Sequence, residues 1–273
     1  MIKYMDIGNR RFDIGGHTYI MGILNVTPDS FSDGGSYPTI DAALSKVEQM
    51  ISEGADIIDV GGESTRPGHI QISDDEEISR IVPVIEKIKA NFDVPVSADT
   101  YKSAVAEAAL CAGTDLINDI WGFKYDARMA EVVKKYNAAC CLMHNQNGTV
   151  YNDFMNDCLL ALKESIAIAK AAGIADEKIM TDPGVGFGKD YRQNLLTIQN
   201  LFQFNSLGYP VLLGTSRKSV IGMTLDIPAK ERDTATAATS VLAVLGGMAF
   251  VRVHNVAANK QAIKMTEAIV SAR

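Results

Sequence analysis

The chain has 273 residues, enough for one large α/β barrel or two average domains, so length alone does not choose between them. A formal net charge of -7, with Lys and Arg spread along the chain, argues against a nucleic acid or a membrane surface as the main partner; any anionic substrate must be held by local cations. Cys111, Cys140, Cys141 and Cys158 lie in apolar segments without CxxC or Cys/His metal spacing, which fits reduced thiols and no structural metal.

In chain order, residues 4–18 hold two short strand-like runs around the polar turn residues Gly8, Asn9 and Arg10, a pattern that predicts a hairpin. Strand candidates then fall at 19–26, 55–60, 94–99, 115–119, 138–144, 178–182, 211–214 and 250–254, eight in all. Helical periodicity separates them. Ile40, Leu44, Val47 and Ile51 share one face behind Thr39 as N-cap, and Gly54 is placed to end that helix. Ser73 and Glu76 read as a capping box ahead of Ile78, Ile81, Val82 and Ile85. Helices over 102–112, 126–136, 155–172, 191–201, 231–246 and 257–271 complete the series, with Gly113 and Gly173 as stop signals.

Strand then helix, eight times, is the arithmetic of a TIM (β/α)8 barrel, typically about 250 residues. A doubly wound open sheet is the alternative, but it seldom reaches eight even units without a domain break, and no linker composition interrupts this chain. The expectation is a single domain over 1–273, with the hairpin closing the bottom of the barrel. The apolar segment 235–250, with Ala238, Val241, Leu242 and Leu245, is expected to pack inward as a barrel helix. Residues 1–10 lack the apolar core of a signal peptide, and the longest apolar stretch, 237–251, is broken by Thr, Ser and a Gly pair, so a cytoplasmic protein is expected.

In such a barrel chemistry belongs at the carboxyl ends of the strands, where the polar residues concentrate. The first strand ends in Asn25, the second opens into GGESTRPG (61–68), and the third ends at Asp99. The fourth carries Asn118, the fifth ends Met143-His144, and the sixth ends at Asp182. The seventh opens into GTSRKS (214–219), and the eighth carries Arg252 and His254. Any one of these alone serves as well as a turn or cap residue. Together they suggest a mouth in which Asp99, Asn118 and Asp182 accept from and donate to a flat heterocycle rich in N–H groups. Lys218 would donate to a ring carbonyl, Met143 and Phe187 would supply apolar faces, and Arg66, Arg252 and His254 would suit phosphate oxygens. DPGVGFGK (182–189) misses the GxGxxG spacing, and Asp190 stands where a P-loop needs Ser or Thr. The loops at 27–38 and 61–72 are long enough to cover or bind a ligand.

GILNVTPDSFSDGG, GGESTRPG, DPGVGFGK, GTSRKSVIG and VRVHNV, in that order over residues 22–256, resemble the dihydropteroate synthase family of pterin-binding barrels. The resemblance implies condensation of 6-hydroxymethyl-7,8-dihydropterin pyrophosphate with 4-aminobenzoate. By similarity Asp99, Asn118, Asp182 and Lys218 would bind the pterin, with Arg252 stacked near it. Asn25 would coordinate a Mg²⁺ on the pyrophosphate, and Arg252 and His254 would hold the leaving phosphates. Phe31, Thr65, Arg66, Pro67 and Ser219 would shape the aminobenzoate site. Asp33 would order the first loop and joins Asp99, Lys218, Arg252 and His254 in the set expected to act in catalysis. Similar proteins are commonly homodimers. One departure is Asn255, where the family usually has Asp; Asn caps a helix about as well, but the carboxylate beside Arg252 and His254 is lost. Rival readings are a methyltetrahydrofolate-to-corrinoid methyltransferase, which has little use for STRPG or SRKS, and a non-catalytic pterin binder, which need not keep the leaving-group cations.

Overall fold

The computed structural model describes residues 2–27, 40–64 and 70–272. Two short strands, β1 (Tyr4–Ile7) and β2 (Arg10–Asp13), pair antiparallel. Arg10 therefore belongs to the second strand rather than to the turn, which Gly8 makes at φ +59°. Eight parallel strands follow: β3 (Tyr19–Asn25), β4 (Ile57–Gly61), β5 (Val96–Asp99), β6 (Leu116–Asp119), β7 (Ala139–Met143), β8 (Ile179–Asp182), β9 (Leu212–Leu213) and β10 (Phe250–Val253). They run in the order β8-β7-β6-β5-β4-β3-β10-β9, and a bridge between Thr181 and Val211 joins the two ends, closing the barrel. Each strand lies inside its sequence-based span apart from Gly61, which extends β4 by one residue.

The surrounding helices are α1 (Ile40–Glu53), α2 (Asp74–Asn91), α3 (Ser103–Cys111), α4 (Met129–Lys135), α5 (Phe154–Ala171), α6 (Tyr191–Gln199), α7 (Ser219–Leu225), α8 (Asp233–Leu245) and α9 (Val256–Ser271). The short α7 was not foreseen, because a seven-residue helix opening on Lys218 carries no side-chain cap to announce it. The capping box expected on α2 is half made: Ser73 Oγ accepts from Glu76 N–H at 3.2 Å, while the Glu76 carboxylate turns instead to Arg80. Thr39 lies outside the described residues.

Strand alternation sorts the barrel into two environments. Outward residues such as Leu24, Ile58, Val60, Val96 and Ile117 join the helices in the main core. Inward residues at the amino-terminal end, among them Met21, Ile57, Leu116, Met180 and Phe250, form a separate apolar layer, and the hairpin plugs it with Met5, Ile7 and Phe12. Phe12 packs edge-on against Phe250 and Tyr19, with centroids 5.6 and 4.9 Å apart. Burying side chains of this size contributes roughly 1.5–3 kcal/mol each, so three plug residues are enough to hold a two-stranded ribbon that is marginal by itself. The bottom is sealed and the carboxyl end is left for chemistry.

One expectation fails on α8. Its inward face is Thr236, Ser240 and Ala243, with Ser240 donating to Asn259 Oδ1 at 2.7 Å, whereas Leu242 and Leu245 are 45% and 61% exposed. A polar seam against α9 leaves the apolar residues outside, the reverse of an ordinary surface helix.

Candidate active site at the barrel mouth

The alternation that fills the lower barrel with apolar side chains turns Asn25, Asp59, Asp99, Asn118, Met143, Asp182 and Arg252 inward at the other end. Two glycines keep this space open and measure its convergence. A side chain at Gly61 would come within 3.6 Å of Asn25 Oδ1 and 3.8 Å of Asp99 Oδ2; one at Gly214 would come within 3.5 Å of Asp182 Oδ2, 3.8 Å of Lys218 Nζ and 4.0 Å of Arg252 Cβ. Asp182 and Arg252, on β8 and β10, thus converge on Gly214 of the intervening β9 loop.

Arg252 is the hub. Its Nε donates to Asp59 Oδ2 and its Nη2 to Asp99 Oδ2, each at 2.6 Å. The other oxygen of each carboxylate is buried without a hydrogen-bond partner among the described residues. A guanidinium between two carboxylates leaves the trio with a net negative charge, and burial makes that expensive. Burial accordingly pushes the Asp99 carboxyl up to about 7, with Arg252 opposing the rise and Asp59 adding to it. Arg252 is held above its ordinary value by its two carboxylates, against the effect of burial. Asp59 was missed in the sequence, although a lone carboxylate inside the apolar run IIDVG was the available signal.

Beside this trio, across β9, Asp182 Oδ1 accepts from Gly184 N–H at 2.7 Å. Its carboxyl is raised by burial, with Lys218 opposing. Lys218 is lowered to about 8 by desolvation, against the pull of Asp182. Its ammonium donates to Val185 O and stands 4.6 Å from the centre of the Phe187 ring. Phe187 and Met143 join a small apolar cluster with Tyr101, Ile120 and Trp121, separate from the main core. The turn carrying Phe187 demands glycine at 184, where φ is +71° and a Cβ would lie 1.9 Å from His144 O. His144, counted with the polar rim, is instead buried behind this turn, 2.7 Å from Lys189 Nζ, and desolvation drops its imidazole to about 3.

On the third side, Ser216 Oγ and His254 Nδ1 lie 2.9 Å apart, and the same hydroxyl accepts from His254 N–H at 3.1 Å. A hydroxyl already accepting there is placed to donate to Nδ1, which leaves the neutral imidazole its proton on Nε2. Arg217, at φ +58°, grips Asp233 with two bonds of 2.6 and 2.8 Å; Asn255 Nδ2 reaches the same carboxylate at 3.2 Å while its Oδ1 caps α9 through Ala258 N–H. Ser219 is exposed as the first residue of α7. Phe31, Asp33, Thr65, Arg66 and Pro67 lie outside the described residues.

A further buried group was also missed. Lys102 Nζ bonds Glu63 Oε2 at 2.6 Å and Ile72 O at 2.7 Å and pairs with Glu77 at 2.9 Å, while Tyr101 OH donates to Glu63. It ties Glu63, just past β4, to Ile72 and to Glu77 in the first turn of α2. Among the described residues no cluster of three or more His, Cys, Asp or Glu side chains could hold a metal ion. At the mouth Asn25 Oδ1 and Asp99 Oδ2 both face Gly61.

The chain matches the family described as pterin binding enzyme over residues 21–254. It is 59% identical over 267 residues to a dihydropteroate synthase of Clostridium beijerinckii, covering 97% of this chain and 99% of that protein. A dihydropteroate synthase structure from Clostridium difficile, solved in the presence of pteroic acid, superposes with a TM-score of 0.93 at 52% identity, over 96% of this chain and all of that one. One from Xanthomonas albilineans with 4-aminobenzoic acid gives 0.94 at 36% identity over the full length of both.

Proposed function

The chain belongs to the dihydropteroate synthase family, and on that premise we propose how its barrel mouth condenses 6-hydroxymethyl-7,8-dihydropterin pyrophosphate with 4-aminobenzoate, giving 7,8-dihydropteroate and pyrophosphate. The observation that supports the reading is the convergence of Asp182, Lys218 and Arg252 on Gly214, with Asp99 bonded to the same guanidinium. Asp99, Asn118 and Asp182 take the N–H edge of the ring, Lys218 donates to its carbonyl, and Met143 and Phe187 cover its faces. Arg252 turns its remaining N–H groups, and His254 its Nε2–H, to the diphosphate. The C–O bond breaks with its electron pair leaving on pyrophosphate. Positive charge then grows on the pterin methylene carbon, and the ionised form of Asp99 stabilises it. The arylamine lone pair forms the new C–N bond and the amine proton is released, so no protein nucleophile is needed. Phe31, Thr65, Arg66, Pro67 and Ser219 shape the aminobenzoate site, and Asp33 orders the first loop.

Mg²⁺ fits the oxygens at hand. The Asn25 amide oxygen and an Asp99 carboxylate with one partnerless buried oxygen flank Gly61, a sparse set suited to an ion that keeps waters and substrate phosphates as its other ligands. Asn25 would hold it, and when bound it neutralises charge on the diphosphate.

The chain works as one domain over 1–273, in the cytoplasm and as a homodimer. Among the described residues no helix is long and apolar enough to cross a membrane. The dimer reading is supported by the outward face of α8, where Leu242 and Leu245 line a groove of about 630 Å³ with Leu195 and Phe202. Leu245→Glu is expected to halve the mass measured by light scattering; an unchanged mass would count against this face.

Mixing the protein with the pterin pyrophosphate, 4-aminobenzoate and Mg²⁺ should yield dihydropteroate and pyrophosphate. Methyl transfer to a corrinoid, or tight pterin binding with no turnover, would replace the reading by one of its rivals.

A further inference from the structure

We propose that Lys189 is a positioning residue for the pterin cradle, pinning the turn between β8 and α6 from behind so that Val185 O, Phe187 and Lys218 keep their places; the proposal rests on the function above. Lys189 is only 9% exposed, and no carboxylate of a described residue lies within ion-pairing distance of it. Its ammonium has three hydrogens, and three acceptors surround it: His144 Nδ1 at 2.7 Å, Gly184 O at 3.0 Å and Phe187 O at 3.2 Å. An ammonium buried on neutral acceptors alone is costly, and a turn that needed only closing would be served by an amide or hydroxyl.

The geometry gives the charge a task. Gly184 and Phe187 bracket Val185 and Gly186: Val185 O accepts the Lys218 ammonium, and Gly186 N–H donates to Asn194 Oδ1. Phe187 in turn packs with Met143 and lies beneath Lys218. Every contact by which this turn faces the ligand is thus flanked by a carbonyl bonded to Lys189. His144 anchors the far end, since its own N–H donates to Asp182 O at 2.9 Å, directly behind the carboxylate that grips the ring. Lys189 also supplies positive field there: it opposes the rise that burial imposes on the Asp182 carboxyl. Asp190, the next residue, is occupied elsewhere, capping α6 through Gln193 N–H at 2.7 Å.

The test uses the chain's one tryptophan, Trp121, which packs against the Met143–Phe187 cluster and whose fluorescence is expected to change when pteroic acid binds there. Lys189→Met is expected to weaken pteroic acid about tenfold and to raise the KM for the pterin pyrophosphate similarly, the effect of losing one charge-assisted bond. KM for 4-aminobenzoate and kcat at saturating pterin should stay within about twofold. Lys189→Gln, which keeps donors but not charge, should recover part of the loss. A role in folding alone would instead lower the active fraction, reducing kcat with KM unchanged, and that outcome overturns the proposal, as does unchanged pteroic acid affinity in a folded Lys189→Met. If that variant does not fold, His144→Phe, which removes one acceptor, should weaken pteroic acid in the same direction, and an unchanged affinity there is equally fatal. Wild-type protein that neither binds pteroic acid nor turns over defeats the functional reading instead.

Discussion

Asn255→Asp tests whether the neutral amide at this position matters. The substitution keeps an oxygen to cap α9 at Ala258 N–H but exchanges the Nδ2 donor, 3.2 Å from Asp233 Oδ2, for a second carboxylate. Two unit charges at that separation repel by about 5 kcal/mol at an effective dielectric of ~20 and by about 1 kcal/mol in water. Asp233 and Arg217 are 21% and 31% exposed, and the new side chain can rotate away, so the lower part of that range applies, about 1–2 kcal/mol. Asp233, held below the ordinary carboxylate range by its bonds to Arg217 despite some burial, would lose part of that depression. Repulsion raises the folded-state carboxyl pKa relative to wild type, so the deficit is full at neutral pH, where both carboxylates are charged, and vanishes as pH falls and they are protonated near 4. Urea unfolding at low salt should place the variant below wild type at pH 7.5 and converge with it toward pH 4. Because Arg217 lies between Ser216 and Lys218, the KM for the pterin pyrophosphate should rise a few-fold, read by pyrophosphate release. Equal midpoints at pH 7.5, or a deficit that grows on acidification, would refute the electrostatic reasoning.

Asp59→Asn removes a charge that raises the Asp99 carboxyl, so the acid limb of pteroic acid binding should move down by roughly one pH unit; an unmoved limb means the two carboxylates do not interact as described. In wild type the Asp99 carboxylate is gained near 7 and the Lys218 ammonium is lost near 8. Pteroic acid affinity followed by Trp121 fluorescence should therefore peak in a narrow window between them, and a flat profile from about pH 6 to 9 would contradict both shifts. Phe12→Ala removes the plug's aromatic anchor, 4% exposed and in contact with Phe250 and Tyr19; a loss of about 3–5 kcal/mol is expected in urea unfolding. A cost below about 1 kcal/mol would mean that the hairpin is not part of the cooperative core.

What could be read beforehand was what repeats. Eight rounds of strand and helix, a hairpin signal at Gly8-Asn9, and polar residues at successive strand ends were all visible because period and position along a strand are properties of the sequence itself. Asp99, Asn118, Asp182 and Arg252 were legible as an inward-facing set for that reason. Asp59 escaped because its significance lies in Arg252, 193 residues away. Lys189 escaped because its partners, His144 and two carbonyls, become neighbours only when β7 and β8 pair. Leu242 and Leu245 were misjudged for a different reason: apolar periodicity identifies a helix face but not what covers it, and here Ser240 and Asn259 claimed the inside.

The hairpin plug has a bearing on traffic. With Met5, Ile7 and Phe12 stoppering the lower end, the described part of the barrel is left open toward the carboxyl ends of its strands. On the reading proposed above, a pterin held by Asp99 and Asp182 would rest on the floor above that stopper, with no way in from beneath it. The proposed pterin would then be expected to bind before the aminobenzoate, and the joined product to leave by the same end.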